Sequence, residues 1–157
     1  MLQQTVELTN NAIELLPLYP QLKKDVILTA CLLHGIGKTK AFSEPIAPEY
    51  SIEAELIGQV VLGIELINEA AFEAGIDSSN EELLALKHCI LSQNGDVELG
   101  WGSAISPKTN EAVFLQQVKQ MNSQLNALEQ VREQTSGDWN YSPMFKRKMY
   151  SKIEKLD

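Results

Sequence analysis

The sequence predicts an all-α fold, and three observations carry that reading. Apolar residues recur at three- and four-residue spacings in five separate segments. Glycine and proline punctuate those segments at their ends. No stretch alternates apolar and polar residues convincingly enough to read as a strand.

The first helix is expected in "TVELTNNAIELL", where Val6, Leu8, Ile13, Leu15 and Leu16 form a stripe closed by Pro17 and Pro20. The second lies in "QLKKDVILTACLLH". From Val26 to Leu33 it is apolar almost all round, which predicts the central buried helix of a bundle, spanning 22–34. Gly35 and Gly37 are expected to stop it, and residues 38–50, with Pro45 and Pro48, to form a loop. A long third helix should run from an N-cap at Ser51 to a C-cap at Gly75, with Glu53 and Glu55 at its positive end. Gly58 and Gly63 inside it each cost about 1 kcal/mol against alanine, which suggests close approach of another backbone. The fourth helix, "SSNEELLALKHCILSQ", is capped by Ser79 or Asn80 and ends at Asn94-Gly95. A polar, glycine-rich excursion follows, of a length that in compact domains is often functional. The fifth helix starts near Asn110, with Val113, Phe114, Val118, Met121, Leu125, Leu128 and Val131 at helical spacing. The chain reads as one domain over 1–157, with 136–157 as a less regular tail packed on it or extending from it.

Composition narrows the function. The net charge of −8 disfavours a dominant nucleic-acid surface. One basic cluster stands out near the end: Lys146, Arg147, Lys148, Lys152 and Lys155, with Phe145 and Tyr150. A solvated helix face is the simpler explanation for it, and a phosphate-contacting patch the other. No apolar run reaches membrane-spanning length and no signal-peptide pattern opens the chain. Cys31 and Cys89 sit in apolar helical patterns, as buried thiols of a reducing compartment would. A cytoplasmic protein without a membrane partner is expected.

Chemistry is harder to find. Only His34 and His88 offer strong neutral nitrogen donors, and no HExxH, CxxC or EF-hand pattern is present. Cys89 beside His88 points about 100° away around the helix and makes a poor chelate. Gly35-Ile36-Gly37-Lys38 is too short for a phosphate-binding P-loop and follows a helix.

The wording of the motifs says more. "LLHGIGK" resembles the LLHDIGK of the HD superfamily of metal-dependent phosphohydrolases. "IAPEYSIEAELIGQVVLGIELI", "LKHCILSQNGDVELGWGSAISPKTNEAVFL", "MNSQLNALEQV" and "SGDWNYSPMFKRKMY" resemble successive stretches of the HD domain of YhaM-type 3′-5′ exoribonucleases. The likeness covers roughly residues 1–150 and implies an HD-type helical bundle. In that family histidines and aspartates hold divalent metal such as Mn, Fe or Ni. The resemblance sets those ligand positions on Gln4, His34, Gly35, Gln59, Gln93, Asn94 and Asn122. Only His34 keeps its ligand identity. Residues that would shape the pocket persist, among them Gly37, Lys38, Gly58, Ser92, Gly95, Pro107, Lys108 and Thr109.

Gln and Asn offer a neutral amide oxygen, Gly35 offers nothing, and both assigned carboxylates are gone. The expectation is a vestigial pocket with no metal, no confident catalytic residue, and Lys38 and Lys108 as phosphate or ligand contacts. His34 then reads as a hydrogen-bonded structural residue and His88 as a packing one. The implied function is a catalytically inactive HD domain that binds a partner protein or small molecule, with its oligomeric state left open. Two alternatives remain: an active phosphohydrolase or exoribonuclease with a site rebuilt on Lys38, Lys108 and loop carboxylates, and an RNA-binding module built on the basic C-terminal segment. YhaM-type enzymes also carry an OB-fold domain before the HD domain. This chain is expected to lack it, which weighs against nucleic acid as the favoured partner.

Overall fold

A computed structural model describes residues 2–42, 49–98, 102–134 and 137–150. It is helical, as the periodicity predicts. The helices are α1 (Leu2–Leu15), α2 (Lys24–Leu33), a four-residue α3 (Lys38–Ala41), α4 (Ile52–Glu73), α5 (Glu81–Ser92) and α6 (Asn110–Gln134). A 3-10 turn at Leu16–Leu18 follows α1, where Pro17 cannot continue the α-helical hydrogen bonding. Among the described residues no helix is long and apolar enough to cross a membrane.

The contacts divide the chain into two compact units, Met1–Lys119 and Gln120–Asp157. In the first, α2 is central, packing against both α1 and α5, while α4 packs on α3 and α5. Ile27, Ala30 and Cys31 of α2 are fully buried with Leu8 and Ala12 of α1, Cys89 and Ile90 of α5, and Ala112 and Leu115 of α6. Both cysteines are free thiols, and burial pushes each up to about 12. Although α2 is apolar nearly all round, Leu32 remains 58 % exposed. The stripes on α1 and α6 also sit differently from the expected ones. Val6, Ile13, Val113 and Met121 face outward, while Ala12, Ala112 and Leu115 take the core positions.

Three expected boundaries differ. α2 ends at Leu33, and Gly35 and Gly37 are not left-handed caps; the chain turns in right-handed conformation directly into α3. Part of the expected 38–50 loop is therefore helical, while Pro45 and Pro48 lie outside the described residues. Gly58 breaks α4 rather than admitting a neighbour. Its φ of 80° is left-handed, and nothing lies within 4 Å of where a Cβ would be. Gly63 does meet another backbone, with Gly37 N 3.3 Å from its Cβ position. The caps at Ser51 and Asn80 are formed: Ser51 Oγ accepts from Ala54 N–H at 3.1 Å and Asn80 Oδ1 from Leu83 N–H at 2.9 Å.

The second unit holds the remainder of α6 and a two-stranded antiparallel hairpin, β1 (Trp139–Ser142) and β2 (Arg147–Tyr150). These strands differ from the all-helical expectation.

Candidate functional site

A polar cluster lies where the end of α2, the end of α5 and α6 meet. α5 closes with Ser92, Gln93 and Asn94. Ser92 Oγ donates back to the His88 carbonyl at 2.7 Å, and Gly95, at φ 105°, turns the chain away. Gln93 is buried, and its Nε2 donates to the His34 carbonyl at 3.1 Å, tying α5 to the end of α2. From α6, the Lys119 ammonium donates at 2.7 Å to Gln93 Oε1 and at 2.7 Å to Asn94 Oδ1. His34, Gln93, Asn94 and Lys119 thus form one hydrogen-bonded cluster.

His34 is held by its own helix. Its Nδ1 lies 2.8 Å from the Cys31 carbonyl, which requires the ring to donate there and leaves the lone pair of the neutral imidazole on Nε2. Burial lowers its pKa below the ordinary histidine range. The hydrogen bond to Cys31 opposes that shift, and the charges of Lys119 and Lys38 add to it. Burial, with a contribution from the Lys38 charge, lowers Lys119 from 10.5 to about 8. Neither lysine forms an ion pair among the described residues.

The other expected residues are arranged less tightly. Gln59 follows the α4 break, and its Oε1 is buried with no hydrogen-bond partner among the described residues. Its backbone carbonyl touches the turn at Gly37. Gly35 lies in that turn, its carbonyl accepting from Lys38 N–H at 3.0 Å. Gln4 is on an exposed position of α1. Asn122 belongs to the second unit. Among the described residues, no group of three His, Cys, Asp or Glu comes together.

His88 and Lys108 meet each other. Lys108 N–H donates to His88 Nε2 at 2.9 Å, so His88 anchors the end of the long excursion after α5. Burial, then the nearby Lys108 charge, lowers its pKa. The excursion fastens itself further: Ser103 Oγ accepts from Asn94 N–H at 3.0 Å, and Ser106 Oγ accepts from Val97 N–H at 3.1 Å while donating to Asp96 at 2.7 Å.

Lys119 is not apparent as a site residue from the sequence, because a lone lysine in "QQVKQMN" reads as solvated. The available signal was register. Position 119 is four residues from Leu115 and seven from Ala112, both fully buried, and so falls on the core-facing stripe.

The basic C-terminal segment is a hairpin rather than a helix face. Trp139 pairs with Tyr150 and Tyr141 with Lys148, so these four share one face. Trp139 and Tyr141 are 62 % and 60 % exposed, and the Trp139 and Tyr150 rings lie 5.1 Å apart. Arg147 sits over the Phe145 ring at 5.6 Å. Lys152 and Lys155 lie outside the described residues.

No family model matches the chain, and no solved structure does. Relatives do match. The chain is 35 % identical over 128 residues to the 3′-5′ exoribonuclease YhaM of Bacillus pumilus and 34 % identical over the same length to that of Bacillus subtilis. It is 36 % identical over 118 residues to the YhaM of Listeria monocytogenes. These matches cover 75–82 % of this chain but only 36–40 % of the relatives, so the chain spans well under half of their length.

Proposed function

Since this chain is related to the YhaM 3′-5′ exoribonucleases over most of its length, we propose that it is a degenerate HD-type domain: a pseudoenzyme that keeps its pocket for binding. One observation carries this reading. The side-chain oxygens of Gln93 and Asn94, at the positions of paired metal histidines in the resemblance, both accept from an ammonium.

Hydrolysis in such a site relies on a divalent cation that lowers the pKa of a bound water and polarises a phosphoryl oxygen. The donors here do not fit one. A dication needs lone pairs, preferably with negative charge behind them. The cluster instead offers one imidazole and amide oxygens already directed at Lys119, with a second positive charge at Lys38 felt by both His34 and Lys119. That balance suits an anionic small ligand or an acidic segment of a partner. Purified protein should hold no stoichiometric Mn, Fe, Ni or Zn, and should leave single-stranded RNA intact with added Mn²⁺. Stoichiometric metal bound through His34 would overturn the reading. RNA turnover that disappears in Lys38→Ala would favour the rebuilt-site enzyme.

A second reading has its own observation in the hairpin, whose exposed Trp139, Tyr141 and Tyr150 share a face with Lys148. Aromatic faces stack on unpaired bases at about 1–3 kcal/mol each, and lysine meets the phosphates. If this face binds single-stranded RNA, Trp139→Ala should weaken binding about fivefold or more, and affinity should fall steeply with salt. Salt-independent binding, or none, removes this reading and leaves the pseudoenzyme standing.

A further inference from the structure

Lys119 occupies a place that loss of metal ligands alone would not have filled. An ammonium has three donors and no lone pair. Two of its donors are committed to Gln93 and Asn94 at 2.7 Å each. The Gln93 amide cannot turn over without losing both the lysine and the His34 carbonyl, so its oxygen is fixed toward the charge. A charge drawn out of water needs a polar cage, and here the cage is built of oriented amide dipoles rather than carboxylates.

We propose that the Lys119 ammonium is an internal substitute for the divalent cation, and that it bars metal from the pocket independently of the missing histidines and aspartates. The proposal rests on the pseudoenzyme reading and names the residue that enforces it. Amide oxygens that point at one cation can hold a single positive charge without any carboxylate. A dication arriving at the same oxygens would meet that charge at contact range, where little water intervenes to screen it. Lys38 adds a second positive charge that Lys119 feels. Restoring ligands without removing the lysine therefore leaves the pocket closed to metal.

The test compares two restored variants. The first carries Gly35→Asp, Gln93→His and Asn94→His with Lys119 kept; the second adds Lys119→Ala. Titration calorimetry with Mn²⁺ and with Ni²⁺ should show the second binding tighter by about 100-fold or more, the upper range for losing one supporting partner of a metal site. Equal affinities, or no binding by either, overturn the proposal. Because three substitutions can unfold the domain, the unmodified protein supplies a second measurement. Nitrogen-detected NMR should find the Lys119 ammonium protons exchanging with water more slowly than those of Lys24, and exchange as fast as Lys24 also overturns it. The parent reading fails separately, through metal in the unmodified protein. Metal-free unmodified protein with equal affinities in the restored pair sinks only the role of Lys119.

Discussion

Replacing Gly37 with alanine is expected to be among the most damaging single substitutions in the first unit, although it adds one methyl group. A Cβ at this position would lie 1.7 Å from the Gln59 carbonyl oxygen, 2.7 Å from Gly63 N and 2.9 Å from the Gln59 carbonyl carbon. All three are backbone atoms, so no side-chain rotation relieves the clash, and α4 must move away from the turn after α2. Gly37 itself has φ −61°, an ordinary right-handed value, so space rather than conformation demands the glycine. Overpacking of this kind costs about 3 kcal/mol or more, which for a chain of this size lowers Tm by roughly 10 °C. Gly63→Ala provides the contrast. Its Cβ would stand 3.3 Å from Gly37 N and 3.4 Å from Ile36 Cγ2, and the gain in helix propensity, about 1 kcal/mol, offsets the crowding. Thermal melts should therefore separate the two variants widely. A Gly37→Ala protein melting within a few degrees of the unmodified one would show that the contact between this turn and α4 yields easily.

The same crossing shows what the sequence can and cannot reveal. Helices α1, α2, α4, α5 and α6 were legible because each carries an apolar face and recognisable ends, such as Ser51, Asn80 and Gly75. The partner of Gly63 was not legible, since periodicity says that a glycine is tolerated for a reason but not which backbone approaches it. α3 is one turn long and too short for any periodic signal. The hairpin escaped because its strands have four residues each and its turn places Lys146 at φ 51°, where a glycine or asparagine would have announced it. The wording of the motifs singled out members of the Lys119 cluster, and its chemistry was not legible. The resemblance marked positions 93 and 94 as former ligands, but the cation between them comes from a lysine 25 residues further on from Asn94, which only folding brings there.

That lysine should leave a signature in how stability varies with pH. Burial, with the charge of Lys38, takes Lys119 from 10.5 to about 8 in the folded protein. The groups facing the ammonium are Lys38 from α3, His34 from the end of α2, and the uncharged Gln93 and Asn94 from the end of α5. Between about pH 8 and 10.5 the unfolded chain holds the lysine proton while the folded chain releases it. Stability from this group is therefore present above the unfolded value and lost as pH falls through about 8. The full span is about 3 kcal/mol, at 1.36 kcal/mol per unit. Raw melting curves will not display it cleanly. Cys31 and Cys89 are pushed up to about 12, so above pH 9 the unfolded thiols ionise while the folded ones do not, and that contribution falls as pH rises. The two effects run in opposite directions over the same window. Subtraction separates them: denaturant midpoints of the unmodified protein and Lys119→Met, taken from pH 7 to pH 10, share the thiols and differ in the lysine. The unmodified protein should gain on the variant steadily above pH 8. A difference flat across that range would mean that the ammonium is as well stabilised as a surface lysine, and that burial and Lys38 do not lower its pKa.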